Sequence, residues 1–166
     1  MTATWANLSN VRKGLGAIML GVFLTASVAT PALAQSPTAK HIYPSIDSAK
    51  ADLDAAIAQA HRTHKRVLVD FGGDWCPDCQ VLDIYAHQEP NAELLSKYFV
   101  KVNINIGHID TNFDIAKRCG VDLHGVPALA VLDGQGKVIF GQHNEFSDMR
   151  NMKSSDLTDF LNKWKQ

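Results

Sequence analysis

Cysteine is scarce in this chain, at three residues in 166. Three cannot staple a small disulfide framework, so the fold must rest on a hydrophobic core. Charge of one sign is lacking too, since 16 Lys+Arg face 17 Asp+Glu for a formal −1 at pH 7. With no excess of cations to neutralise phosphates, no nucleic acid is expected as a partner. Internal repeats and low-complexity tracts are absent. The longest uncharged apolar stretch, Gly14–Val28, falls short of the ~20 residues that span a bilayer. What remains is ordinary globular material, 46% hydrophobic and 20% charged, enough for one domain and an extra segment.

That extra segment lies at the N-terminus. Arg12 and Lys13 precede the uncharged stretch, and Pro31 and Ala32-Leu33-Ala34 follow it. A basic n-region, a short apolar h-region and a small-x-small site read as a signal peptide over residues 1–34, cut after Ala34. Export is therefore expected, with the bacterial periplasm as the compartment, where thiols pair or turn over. Residues 35–44 are polar and without periodicity, and read as a flexible lead-in to a domain over 45–166.

Within that domain, Ile46, Ala49, Leu53, Ala56, Ile57 and Ala60 recur at helical spacing, with Ser45 as N-cap. Arg66–Phe71 is a short, β-branched apolar run suited to a strand buried on both faces. Helical runs begin at Cys76 and Pro90. Phe99–Ile106 reads as strand, and Asn112–Cys119 as helix. Pro127–Leu132 and Val138–Phe140 read as a hairpin about Asp133-Gly134-Gln135-Gly136. Ser155–Trp164 closes the chain as an amphipathic helix. This order implies an α/β fold, a central mixed β-sheet flanked by helices. Gly141–Lys153 is a long polar loop, read as a solvated excursion or a partner contact.

The chemistry-bearing element is Trp75-Cys76-Pro77-Asp78-Cys79. Two cysteines separated by two residues at a helix start can form a small redox-active disulfide. The helix N-terminus favours a Cys76 thiolate, which is the nucleophilic form. Pro77 in the first turn costs no helical hydrogen bond. A zinc site would need four ligands, and no second C-x-x-C is present. A haem attachment would need His after the second cysteine, where Gln80 stands. No metal and no cofactor is called for. The other readings of the pair are a purely structural disulfide and a soft-metal site, since thiolates suit Cu(I).

Val67–Phe71 followed by Gly72-Gly73-Asp74-Trp75-Cys76-Pro77-Asp78-Cys79 resembles the strand-to-active-site segment of the thioredoxin superfamily. The resemblance spans 45–166 and extends to exported thioredoxin-like proteins and the C-terminal domain of DsbD, whose Asp-Trp-Cys-x-x-Cys and Asp-Gly-x-Gly hairpin recur as Asp74–Cys79 and Asp133–Gly136. It implies a thioredoxin fold and a thiol–disulfide oxidoreductase in which Cys76 attacks a substrate disulfide and Cys79 resolves the mixed disulfide. Asp70 matches the family's buried aspartate, a proton acceptor for Cys79 through water. Lys101 resembles the lysine beside it. Val126-Pro127 resembles the cis-proline dipeptide that presents backbone to substrate, and Trp75 shapes the same surface.

Departures from the family pattern carry expectations of their own. Pro77-Asp78 replaces the usual Gly-Pro. A carboxylate at 78 beside the sulfurs would disfavour the Cys76 thiolate and make the dithiol a better electron donor. Gly72-Gly73 replaces bulkier residues and would open the surface to a partner. Cys119, at a helix C-terminus, reads as an unreactive half-buried thiol or the seat of a regulatory disulfide. His124, three residues before Pro127, is a candidate neighbour of the disulfide. The expectation is an exported, monomeric reductase of protein disulfides, re-reduced by a membrane-bound thiol electron donor. Its rivals are a disulfide-donating oxidase or isomerase and a non-enzymatic copper-binding protein.

Overall fold

The computed structural model describes residues 40–143 and 145–166. The signal peptide expected over 1–34 and residues 35–39 of the expected lead-in lie outside them. A 3-10 turn, Ile46–Ser48, leads into α1 (Ala49–Thr63), followed by β1 (Arg66–Gly72), α2 (Pro77–Ala86), α3 (Asn91–Tyr98) and β2 (Phe99–Asn105). Then come α4 (Phe113–Arg118), β3 (Ala128–Leu132), β4 (Val138–Gly141), a 3-10 turn over Met149–Asn151, and α5 (Ser154–Trp164). The sheet order is β2-β1-β3-β4, with β1 parallel to β2 and antiparallel to β3, and β3 antiparallel to β4. It is the mixed sheet flanked by helices that the pattern of elements implies.

β1 is buried along nearly its whole length because both faces are covered. Side chains alternate across a strand. Accordingly, Val67, Val69 and Phe71 join Leu53, Ala56 and Ala60 of α1 in one core, and Leu68 joins Leu82, Leu157 and Leu161 in the other. A central strand between two cores is a rigid mount for whatever follows its C-terminal end.

Three expectations need correction. Helix α1 starts three residues late, because Ile46 is exposed and Ser45 makes no side-chain cap; the Ser48 hydroxyl instead donates to Ser45 O at 2.8 Å. The lead-in is not loose at its end: Lys40–Tyr43 are bonded to the domain and Tyr43 is fully buried. Nor is the segment 141–153 a solvated excursion. Phe146 and Met149 enter the core, with Phe146 edge-on to Phe160 at 4.9 Å. An apolar pair spaced by three in a polar stretch is the signal of such a turn, tucked under the sheet.

Truncating that pair should behave as core truncation. Phe146→Ala and Met149→Ala are each expected to cost about 2–5 kcal/mol in urea unfolding. His143→Ala, at an exposed position of the same segment, should stay within about 0.5 kcal/mol.

Candidate active site

β1 ends at Gly72, and the chain turns through Gly73–Trp75 to start α2 with Cys76 as N-cap. A cap residue needs a side-chain acceptor for the orphan amides of the first turn. Here the acceptor is sulfur: the Cys79 amide donates to Cys76 Sγ at 3.1 Å. Pro77 occupies the first turn, where its missing N–H leaves nothing unpaired. Cys76 and Cys79 form a disulfide with their Cα atoms 5.2 Å apart, and both residues are buried.

Val126-Pro127 is a cis peptide leading into β3, and the Val126 carbonyl oxygen lies 3.6 Å from Cys76 Sγ. Gln142 fixes this corner. Its side chain donates to Pro127 O at 3.1 Å and accepts from Leu129 N at 2.8 Å, while its backbone amide donates to Leu129 O at 2.9 Å, extending the β3–β4 ladder. Trp75 stands 44% exposed over the motif. Its ring stacks on His108 at 5.1 Å and its Nε1 donates to Gly107 O, so the β2–α4 loop holds it in place.

Asp70, on β1 beneath the motif, is 1% exposed. Its Oδ1 accepts from the Tyr43 hydroxyl at 2.9 Å. Its Oδ2 meets Lys101 Nζ of β2 at 2.9 Å, as an ion pair rather than an aligned hydrogen bond. Lys101 also donates to Asn103 and lines an open cavity of about 620 Å³. Removing one partner of so buried a pair strands the other charge, at a cost of about 3–5 kcal/mol.

Asp74 is the anchor of the N-terminal strap, residues 40–43. Its Oδ1 accepts from the Ile42 and Tyr43 amides at 2.7 and 3.0 Å, and its Oδ2 pairs with His41 at 2.5 Å. Gln80 donates to both Asp74 O and Lys40 O, and Lys40 reaches Asp83 at 2.7 Å. Burial alone would raise the Asp74 carboxyl, but the two amides and His41 outweigh it and hold it below its ordinary value.

The structure thus brings together Cys76, Cys79, Asp70, Lys101, Trp75, Val126 and Pro127. It gives Asp78 a different setting from the one expected. Arg150 donates to Asp78 Oδ1 from its backbone at 3.1 Å and its guanidinium at 3.0 Å, so the carboxylate is not a lone charge beside the sulfurs. Gly72 does not open the surface either: a Cβ there would overlap the Tyr43 hydroxyl and stand 2.8 Å from Cys79 Sγ. Cys119 is fully buried, and burial pushes its thiol up to about 11 against the pull of Arg118. His124 is exposed and pairs with Asp122 at 3.0 Å. Among the described residues no group of three or more His, Cys, Asp and Glu is placed to hold a metal ion. Sequence reasoning missed Tyr43, Asp74, His108, Gln142 and Arg150. Only Asp74, inside the motif, carried a local signal.

A disulfide that caps a helix, faced by a cis-proline and backed by a buried carboxylate, sits on the fold of a thiol–disulfide oxidoreductase. A family model described as thioredoxin-like matches residues 48–134. The structure of a disulphide isomerase from Xylella fastidiosa Temecula1 is 32% identical, with a TM-score of 0.71, covering 76% of this chain and 98% of that one. A mutant thioredoxin from Halobacterium salinarum NRC-1 is 22% identical with a TM-score of 0.47, covering 70% and 85% of the two chains. No curated protein sequence matches the chain. The chain belongs to the thioredoxin-like family.

Two outcomes follow from these settings. The Asp74 carboxyl lies lower in the folded chain than in the unfolded one, so its stabilisation is present above pH 3.8 and is lost as pH falls through the folded value. Asp74→Asn should therefore cost about 1 kcal/mol at neutral pH, with a shallower loss of stability in acid titrations followed by circular dichroism. Cys119 should resist iodoacetamide at pH 8 in the folded, reduced protein and react once urea unfolds it, as read by mass spectrometry.

Proposed function

We propose that the chain is an exported reductase of protein disulfides, re-reduced by a membrane-bound thiol donor. Cys76 is the nucleophile and Cys79 the resolving thiol. The observation that carries this reading is the Cys79 amide on Cys76 Sγ. In the reduced protein the same amide, with the helix N-terminus behind it, favours a thiolate there. Attack on a substrate disulfide forms the bond from Cys76 to one substrate sulfur and expels the other as a thiol. Cys79 then displaces the remaining substrate sulfur, closing the Cys76–Cys79 disulfide and leaving the substrate fully reduced.

Val126 O and the exposed Trp75 give a substrate segment a backbone acceptor and an apolar platform beside Cys76. The electron-donating direction rests on how little besides that amide and the helix N-terminus stabilises the thiolate among the described residues. Arg150 is committed to Asp78 and Lys101 to Asp70, so neither cation is free to favour the reduced form. A strong oxidant is one whose reduced form is stabilised. Export is supported by the n-region, h-region and cleavage pattern over residues 1–34. The relative described as a disulphide isomerase favours a second reading, in which Cys76 releases a rearranged substrate before Cys79 acts.

The reduction potential decides the direction. Equilibration with dithiothreitol is expected to place the Cys76–Cys79 couple near or below about −250 mV; a value above about −150 mV would make the protein a disulfide donor. Cys76→Ser should abolish insulin reduction, and full retained activity would sink the mechanism. Reactivation of scrambled ribonuclease without net loss of disulfides would favour the second reading.

A further inference from the structure

Tyr43 belongs to no motif, yet it is a fully buried phenol beside the redox centre. Its hydroxyl donates to Asp70 Oδ1 at 2.9 Å, while Lys101 holds the other carboxylate oxygen. A Cβ at position 72 would meet both the Tyr43 hydroxyl and Cys79 Sγ, so the hydroxyl and the resolving sulfur pack together against Gly72. The Tyr43 amide is fixed in turn on Asp74, two residues before Cys76. Burial, then the neighbouring Asp70 carboxylate, pushes the phenol far above its ordinary value, which keeps it a neutral donor. The charged groups around it are Asp70 on β1, Lys101 on β2, Asp83 on α2, and Asp74 with His41 at the strap.

We propose that Tyr43 is a positioning residue for the resolving half of the exchange, fixing the orientation in which the Asp70 carboxylate takes up the Cys79 proton. The inference rests on the thiol–disulfide exchange argued above. In that half-reaction the Cys79 S–H bond breaks and its proton passes through water to Asp70. The sulfur's electron pair forms the bond to Cys76 Sγ as the bond from Cys76 to the substrate sulfur breaks. The substrate leaves as a thiolate and takes a proton from water, and Asp70 returns its proton to solvent on the Lys101 side. A carboxylate free to swing about Lys101 alone would meet Cys79 in fewer orientations, and removing a hydrogen bond to a charged group is an effect of about tenfold.

The two halves separate in a single-turnover experiment with 5,5′-dithiobis(2-nitrobenzoate). Attack by Cys76 releases one thiolate of the reagent, and resolution by Cys79 releases the second. Tyr43→Phe keeps the ring and removes the hydroxyl. It is expected to leave the first release within about twofold and slow the second about tenfold, with the pH–rate profile of the second phase moving toward that of Asp70→Asn. In the Tyr43→Phe/Asp70→Asn double variant the two losses should not add, because one acts through the other. An unchanged second phase, equal slowing of both phases, or additive losses would each overturn the proposal. If Tyr43→Phe fails to fold, Tyr43→His, which keeps a ring donor, should restore the second phase relative to Tyr43→Leu, and equal rates in those two would overturn it. Failure of the exchange reading shows separately, as the lack of two-step release in the unsubstituted protein.

Discussion

A carboxylate buried to 1% exposure at the end of the central strand is tolerable only if ionic and hydrogen-bonding partners meet it inside the protein. Asp70 draws these from opposite directions, Lys101 from the edge strand β2 and the Tyr43 hydroxyl from the segment ahead of α1. Much else follows from that demand. The strap must be ordered as far as Tyr43, so Asp74 gathers its amides and His41. Position 72 can carry no side chain, because the phenol occupies the place where one would go. Asp70, the cap of α2 and the strap over residues 40–43 are thus parts of one arrangement.

The far side of the disulfide has a comparable support in the segment between β4 and α5. Gln142 ties the carbonyl of Pro127, Arg150 takes up Asp78, and Phe146 and Met149 bury between the sheet and α5. The cysteine-bearing turn is held at one end by what precedes the domain's first helix and at the other by what precedes its last. The first support fixes Asp70 and Asp74, and the second fixes Pro127 and Asp78.

What could be read from the residues alone was what repeats or clusters locally. β1, the hairpin, α5 and the Cys76–Cys79 pair all carry their signal within a dozen residues, and the structure has them within a few residues of the expected bounds. The elements that escaped are pairings across long separations. Tyr43 meets Asp70 27 residues on, and Arg150 meets Asp78 from 72 residues away. A lone tyrosine in a polar lead-in has no periodicity, and an arginine in a polar loop resembles any surface cation. Asp78 shows how such a gap changes a conclusion: a lone negative charge beside the sulfurs became one half of an ion pair. Gly72 shows the same, since a glycine read as an opening proved to be filled from elsewhere in the chain.

The fit between Gly72 and Tyr43 has a consequence for how such sequences can diverge. Neither residue changes without a cost. A side chain at position 72 would collide with the phenol, and loss of the phenol would leave a cavity and an under-partnered carboxylate. The order of events in a lineage is therefore constrained: the glycine must persist while either the phenol or the Cys79 sulfur stands against it. Descendants that keep Cys79 should keep the glycine, with or without the aromatic. In such a lineage the strap ahead of the first helix would be inherited together with the active site.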